Sequence, residues 1–429
     1  MRGPYVFDQI QHRELLNHVN GTVKYKTYRT HFFNENKSCS ECFLYNRIWV
    51  PNIIFQKFVE ISSKPATRAA SSALLIQKPF LEVEVAEFLF DGYVDGFLDQ
   101  VCSIPFVNLI CETILDLPER IGLFYGTNGT SVGTFVADSG ETNGGANIGD
   151  IHTFNGWSIL PDYWWNTEEA RQINGTDGSL LPPYLTKDTK LQVYVTDICR
   201  SVELTFEKEV TYKGVTAYRF VIGPDAFNMS LPKNRGFCNA NGKQIFEQNE
   251  DNECLPPGLL DISRCQIGEP PIAISWPNFL HAPDYVQDSI KGMLEPSAER
   301  DQVQMDIEPR LGVILIAQRR SQVNLVMWKG ENLTMPGLDL SRLRNSIIPM
   351  IAINELYEID EPTLELIKSQ LIRTESLVRS SCVIGALIAA FLFLLVLFFI
   401  LLKSGRLESI RKQLGMSSPN SRIAPNPEK

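Results

Sequence analysis

Histidine is scarce in this chain, and the usual catalytic signatures built on it are missing. Only His12, His18, His31, His152 and His281 are present, and none has a metal-ligand spacing to another histidine or to a cysteine pair. There is no His-Glu-x-x-His and no phosphate loop, so zinc-protease and nucleotide-hydrolysing chemistries lack their residues. A hydrolase has no paired nucleophile and base to stand on. Cys39-Ser-Glu-Cys42 is the one C-x-x-C, and zinc would need two further ligands. A disulfide in an oxidising compartment is its simpler use. These absences imply no catalytic residue, no metal and no cofactor. Internal repeats are absent too.

Long apolar runs are also rare, and the single one is informative. Val383 to Leu402 carries no charge, no proline and one glycine. At helical rise, twenty apolar residues cover the ~30 Å hydrocarbon core of a bilayer. A buried core helix is seldom apolar on every face for so long. The chain therefore divides into a body (1–382), a transmembrane helix (383–402) and a tail (403–429). The tail holds Lys403, Arg406, Arg411, Lys412, Arg422 and Lys429 against Glu408 and Glu428, which favours the cytosolic side.

The body agrees with the opposite side. It holds six N-glycosylation sequons, at Asn20, Asn36, Asn128, Asn174, Asn228 and Asn332, and the tail holds none. Eight of nine cysteines lie in it, an even count that suits disulfides, and Cys382 at the membrane edge is the odd one. Met1 to Phe7 is neither a signal peptide nor a membrane span, so residues upstream of Met1 are expected. The rival is a tail-anchored cytosolic body, which predicts reduced cysteines and bare sequons. Without the tail, 34 basic residues face 48 acidic ones, a net −14 over residues 1–402. So acidic a body argues against nucleic acid as a partner.

The pattern along the body is mostly strand-like. Tyr5-Val6-Phe7 and Thr22 to Tyr28 alternate, as do Val193-Tyr194-Val195, Val202 to Phe206 and Ala217 to Val221. Leu311 to Ile316 and Val323 to Trp328 read as a strand pair. Pro256-Pro257 and Pro270-Pro271 break residues 236–272 into loops. Residues 53–116 read instead as a helical insertion, and Pro362 to Val378 as a helix leading to the membrane. The fold class is α+β, dominated by antiparallel sheet. Within the insertion, Lys57, Lys64, Arg68 and Lys78 face Glu60 alone between Ile53 and Phe80, a +3 region. It is either a solvated helix face or a docking patch for anionic ligands.

Residues 121–312 carry a distinctive order of motifs. Ile121-Gly-Leu-Phe-Tyr-Gly-Thr-Asn-Gly-Thr130 leads to Gly149-Asp-Ile-His-Thr-Phe-Asn-Gly156, Ile173-Asn-Gly-Thr-Asp-Gly178 and Asp197-Ile-Cys-Arg-Ser201. Asn234-Arg-Gly-Phe-Cys238, Gly258-Leu-Leu-Asp-Ile-Ser263, Pro277-Asn-Phe-Leu280 and Asp306-Ile-Glu-Pro309 follow. This order closely resembles the class B scavenger receptor family, over nearly all of residues 3–402. The resemblance implies a large glycosylated ectodomain, an antiparallel β-barrel with a membrane-distal helical cap over 53–116, and an internal hydrophobic tunnel that passes lipid to the bilayer. It also implies a first membrane helix ahead of Gly3-Pro4-Tyr5.

The same resemblance implies the bridges Cys199–Cys265 and Cys238–Cys254. A third family bridge is missing, with Ala170 and Gly236 at its two positions. Cys39–Cys42 and Cys102–Cys111 depart from the vertebrate pattern and are paired on proximity alone. The family's Trp-Gly-Tyr-x-Asp-Pro segment stands here as Phe90-Asp-Gly-Tyr-Val-Asp-Gly96, so the base of the cap is expected to differ. The expected function is a cell-surface receptor for lipids, fatty acids, sterols, lipoproteins or other anionic ligands, with Lys57, Lys64, Arg68 and Lys78 in the docking patch. Self-association into a homo-oligomer stays open. The alternative is recognition of apoptotic cells, microbes or a cargo enzyme. The plasma membrane is the expected location, because the tail has no acidic dileucine signal; the alternative is the lysosomal or endosomal membrane.

Overall fold

The computed structural model describes residues 3–65, 78–103, 108, 111, 120–240, 243–251, 253–330, 333, 340, 343–403 and 413. The chain divides into two units, residues 1–359 and residues 360–429.

The first unit opens on a long hairpin. β1 (Phe7–Val19) pairs antiparallel with β2 (Thr22–Phe33). The turn is Asn20-Gly21, with φ of 53° and 75°, which only residues tolerant of the left-handed region supply cheaply. β2 pairs next with β5 (Ser131–Asp138), and β5 with β6 (Ile151–Phe154), giving a four-stranded sheet in the order β1-β2-β5-β6. The alternation of β2 buries Tyr25 and Thr27 and exposes Lys24 beside them.

Between β2 and β5, β3 (Arg47–Pro51) pairs with β4 (Phe80–Glu84). The connection carries α1 (Ile53–Ser63). Asn52 caps it, its Oδ1 accepting from the Phe55 N–H at 3.1 Å. Ile54, Phe55, Phe58, Val59 and Ile61 are buried in a small core of their own, against Leu98 and Cys111 among others. The expected helical insertion at 53–116 is helical at its start, and it also contains a strand. Helix is found at Ile53–Ser63 and Gly96–Cys102, but β4 and a π-turn at Glu87–Asp91 lie between. Residues 69–75 and most of 101–115 fall outside the described residues.

The larger sheet runs β10-β11-β13-β12-β9-β8-β7, with β14 also on β13. Its strands are β7 (Lys190–Val195), β8 (Arg200–Tyr212), β9 (Val215–Ile222), β10 (Leu259–Asp261), β11 (Ile272–Ser275), β12 (Gln304–Glu308), β13 (Val313–Met327) and β14 (Ser346–Glu358). β13 corrects the expected strand pair at 311–328, because it is one strand. One edge pairs with β12 near Val313 and with β11 near Val323, and β14 covers the other. Its polar middle reads as a turn in isolation but is satisfied inside. Gln322 Nε2 donates to Asn324 Oδ1 at 2.8 Å, Asn324 Nδ2 donates to Ser275 Oγ at 3.0 Å, and the Asn278 N–H donates to Gln322 Oε1 at 3.0 Å.

A closed barrel is not formed by the described strands, which corrects that part of the expected fold. β6 ends one sheet and β7 ends the other. Gly175 and Thr176 stitch these two edges without becoming a strand. The Ile151 N–H donates to Gly175 O at 2.8 Å, the Thr176 N–H to Gln192 O at 3.1 Å, and the Tyr194 N–H to Thr176 O at 2.8 Å. Gly175 has φ of 76°, and a Cβ there would lie 1.9 Å from the Gln192 carbonyl oxygen. The left-handed backbone at this point ends regular pairing after one bridge. Beside the stitch a chain of rings crosses between the sheets: Tyr25 to Phe135 at 5.3 Å, Phe135 to Phe154 at 4.9 Å, and Phe154 to Tyr194 at 5.3 Å.

Sulfurs are joined at Cys39–Cys42, Cys102–Cys111, Cys199–Cys265 and Cys238–Cys254, and Cys382 is free and exposed. Ala170 and Gly236 are neighbours: a Cβ on Gly236 would lie 2.8 Å from the Ala170 Cβ.

The second unit is helical from Glu361 to Lys403, a span of 43 residues. Asp360 caps it, accepting from the Thr363 N–H at 3.1 Å. A π-turn at Lys368–Arg373 interrupts it before the final stretch, Thr374–Lys403. That stretch contains residues 383–402 and is long and apolar enough to cross a membrane.

Candidate functional site

The residues proposed for the docking patch occupy different settings. Lys57 lies on α1 but keeps only 12 % of its side chain exposed. Its Nζ donates to the Glu269 carbonyl at 3.0 Å, and burial pulls its ammonium below the ordinary lysine value. Glu60, one turn on, pairs with Lys243. Lys64, at the end of α1, and Lys78, just before β4, are exposed. Arg68 lies outside the described residues. Among the sequons, Asn20, Asn36, Asn128 and Asn174 are exposed, Asn228 is half-buried, and Asn332 lies outside the described residues.

Two features have no counterpart in the sequence reading. The first is a cavity of about 140 Å³ walled by Phe7, Phe33, Leu44, Ala86 and Phe90, with His31, Asp91 and Asn128 as its polar members. Phe7 meets Phe33 at 5.4 Å and Phe90 at 5.2 Å, and His31 meets Phe90 at 5.5 Å. Asn128 holds the His31 backbone at both ends, accepting from its N–H at 2.8 Å and donating to its carbonyl at 3.3 Å.

The second feature begins at His31 and lies between the two sheets. β2 supplies Thr27, Arg29 and His31; the end of β7 and the turn after it supply Tyr194, Thr196 and Asp197; β13 and β14 supply Arg319 and Glu355. Arg29 Nη1 meets Asp197 Oδ2 at 3.0 Å, and Arg13 Nη2 meets Asp177 Oδ2 at 2.8 Å. Arg319 and Glu355 are direct cross-strand partners and form an ion pair.

Asp197 keeps 56 % of its side chain accessible, yet burial acts strongly on its carboxyl. Burial works to raise this carboxyl, and Arg29 and Arg319 outweigh it, holding it below the ordinary range. Burial lowers the Arg319 guanidinium, but Glu355 and Asp197 more than offset that. Burial also pulls the His31 imidazole below its ordinary value of 6.5, against the opposing field of Glu355. The Tyr194 hydroxyl is pushed up by burial and then by Asp197.

Polar satisfaction fails here more than elsewhere. Among the described residues, six buried side-chain polar atoms have no protein partner. Five belong to this cluster: Thr27 Oγ1, Arg29 Nε, His31 Nδ1, the Tyr194 hydroxyl and Thr196 Oγ1. Folded proteins rarely leave such groups bare without a reason.

One motif corrects the expectation that no hydrolase signature is present. Gly129-Thr-Ser131-Val-Gly133 spells Gly-x-Ser-x-Gly. Ser131 starts β5, after a loop, and its Oγ accepts from the Gly133 N–H at 3.2 Å. A nucleophile elbow needs a strand-to-helix turn, and this is a loop-to-strand entry.

Comparison with known proteins follows the same lines. The sequence matches the CD36 family over residues 1–401. Lysosome membrane protein 2 of Rattus norvegicus is 31% identical over 372 residues, covering 86% of this chain and 71% of that protein. Scavenger receptor class B member 1 of Mus musculus is 27% identical over 360 residues, covering 82% and 64%. An uncharacterized protein of Caenorhabditis elegans is 28% identical over 443 residues, covering 89% and 77%.

Proposed function

This chain belongs to the CD36 family, and from that premise we propose that it is a membrane receptor for lipids or lipoproteins that passes hydrophobic cargo to the bilayer. The observation that carries the reading is the length of the family match, which takes in the sheets, the interior cluster and nearly all of the apolar helix. In this reading residues 1–382 lie outside the cytosol, 383–402 span the membrane and 403–429 are cytosolic. Residues 53–116 form a ligand-capturing cap. Lys64, Lys78 and Arg68 attract anionic groups there, and Lys57, held by Glu269, adds its field rather than a contact. Cargo then moves through an apolar passage, where each methylene withdrawn from water contributes about 0.8 kcal/mol. Fatty acids, sterols and phospholipids are the cargo classes. The six sequons carry glycans.

The plasma membrane is the proposed site of action. The relatives named as lysosome membrane proteins favour a second location, the lysosomal or endosomal membrane. Lipid mass spectrometry on the purified full chain tests the receptor reading. Stoichiometric lipid, retained after detergent exchange, supports it. A folded, glycosylated chain that stays empty after incubation with fatty acid, sterol and phospholipid refutes it, and points to protein recognition instead.

A further inference from the structure

We infer that the interior cluster of Thr27, Arg29, His31, Tyr194 and Thr196 is a headgroup station, which binds the neutral, hydroxyl- or carbonyl-bearing end of an amphiphile. The inference rests on the lipid-receptor reading and adds to it a place and a selectivity.

Three observations carry it. First, the groups that need partners are concentrated here. Thr27 is 4 % exposed and Tyr194 2 %, yet the hydroxyl of each meets no protein partner. A bare buried hydroxyl is costly, and a ligand hydroxyl or carbonyl would answer it. The unpartnered set consists of three hydroxyls, each able to donate or accept, one guanidinium N–H and one imidazole nitrogen.

Second, the charges are already balanced. Arg29 faces Asp197, Arg319 faces Glu355 and Arg13 faces Asp177. A carboxylate or phosphate brought beside Asp197 would add a negative charge with no cation left to pair it. A neutral head adds none.

Third, aromatic rings lie on both flanks. The packed ring chain from Tyr25 to Tyr194 runs along one side, and His31 is shared with the cavity walled by Phe7, Phe33 and Phe90. An amphiphile with its head in the cluster finds rings for its chain. The simplest competitor is a set of ordered waters, which satisfy buried polar groups equally well.

The test uses the full chain in phosphatidylcholine nanodiscs. One probe is a long-chain alkanol with a diazirine beside its hydroxyl, and the other is the matched alkanoate. Crosslinks are mapped by peptide mass spectrometry. The alkanol is expected to label peptides containing Thr27 or Tyr194–Asp197, and the alkanoate about tenfold less. The isosteric triple variant Thr27→Val, Tyr194→Phe, Thr196→Val should reduce alkanol labelling there about tenfold, as loss of a few net hydrogen bonds predicts, and leave labelling elsewhere unchanged. Tyr194→Phe alone, which only removes an unpartnered hydroxyl, gives the same direction if the triple variant folds poorly. Equal or stronger alkanoate labelling overturns the inference, and so does alkanol labelling that the variants do not change, the result expected of water. Labelling confined to other parts of residues 3–359 overturns it while sparing the receptor reading. No labelling by either probe overturns both.

Discussion

Replacing Gly175 with alanine should part the two sheets where β6 and β7 are stitched together. The cost has two sources. Alanine at φ of 76° pays the left-handed penalty, about 1–2 kcal/mol. Its Cβ would also sit 1.9 Å from Gln192 O and 2.4 Å from the Gln192 carbonyl carbon, so the backbone must move away. That movement breaks or stretches the bond from the Thr176 N–H to Gln192 O and its two neighbours at Tyr194 and Ile151. Each is worth about 0.5–1.5 kcal/mol net. The total is about 3–6 kcal/mol, large for a single substitution. Gly214→Ala is the matched control. Gly214 has φ of 87° in the β8–β9 turn, and a Cβ added there would meet nothing within 4 Å, so only the conformational penalty applies. Chemical denaturation of the full chain in detergent would compare the two variants. Hydrogen exchange would follow the amides of Thr176 and Tyr194, which should lose protection in Gly175→Ala alone. If Gly175→Ala is no less stable than Gly214→Ala, the stitch contributes nothing and the reasoning fails.

Other consequences can be measured directly. His31 and His281 both have imidazoles held below 6.5 by burial, so the stability each supports is present above that pH and is lost as pH falls through the lowered value. Melting temperature should therefore drop between pH 7 and pH 5, and less so in a His31→Gln, His281→Gln variant; parallel profiles would contradict this. Removing the Cys199–Cys265 bridge, 66 residues apart in sequence, should cost about 4 kcal/mol in the chain-entropy model, against about 2 kcal/mol for Cys39–Cys42. Equal losses from the paired serine variants would argue for a different origin. Ala170→Cys with Gly236→Cys should form a new bridge, leaving only Cys382 reactive to a thiol reagent under denaturing conditions. Its stabilisation should be reduced by about 1 kcal/mol, because Thr167 Oγ1, which caps the helix at Ala170, must move from the new Cβ.

The parts of the fold legible in the sequence are those set by local pattern. Thr22 to Tyr28 alternates because one face of β2 is inside, and residues 383–402 reveal themselves by composition alone. β13 reads as two strands because Gln318 to Gln322 is polar, and only the buried Ser275 and the half-buried Asn278 and Glu355 make a strand interior of it. β4 is hidden because its pairing with β3 is set from across the intervening helix. The interior cluster is invisible for a similar reason, since its members run from Thr27 to Glu355 and share no motif. One signal is available. Along the inward face of β2, the polar residues Thr27, Arg29 and His31 stand between Tyr25 and Phe33, where an apolar core would continue the rings. A polar stretch on the buried side of a strand marks a place where something polar must meet it.

β13 has a consequence for how this chain can vary. Loops absorb an added or lost residue by bending, and side chains can be exchanged singly. A strand with neighbours along both edges has neither escape. Deleting one residue between Gln318 and Gln322 would turn the remainder of the strand over relative to β11 and β14 while β12 held its start in place. Gln322 and Asn324 would leave their partners, and the pairing of Arg319 with Glu355 would slip. Along this stretch the letters of the sequence can change one at a time, but their number cannot.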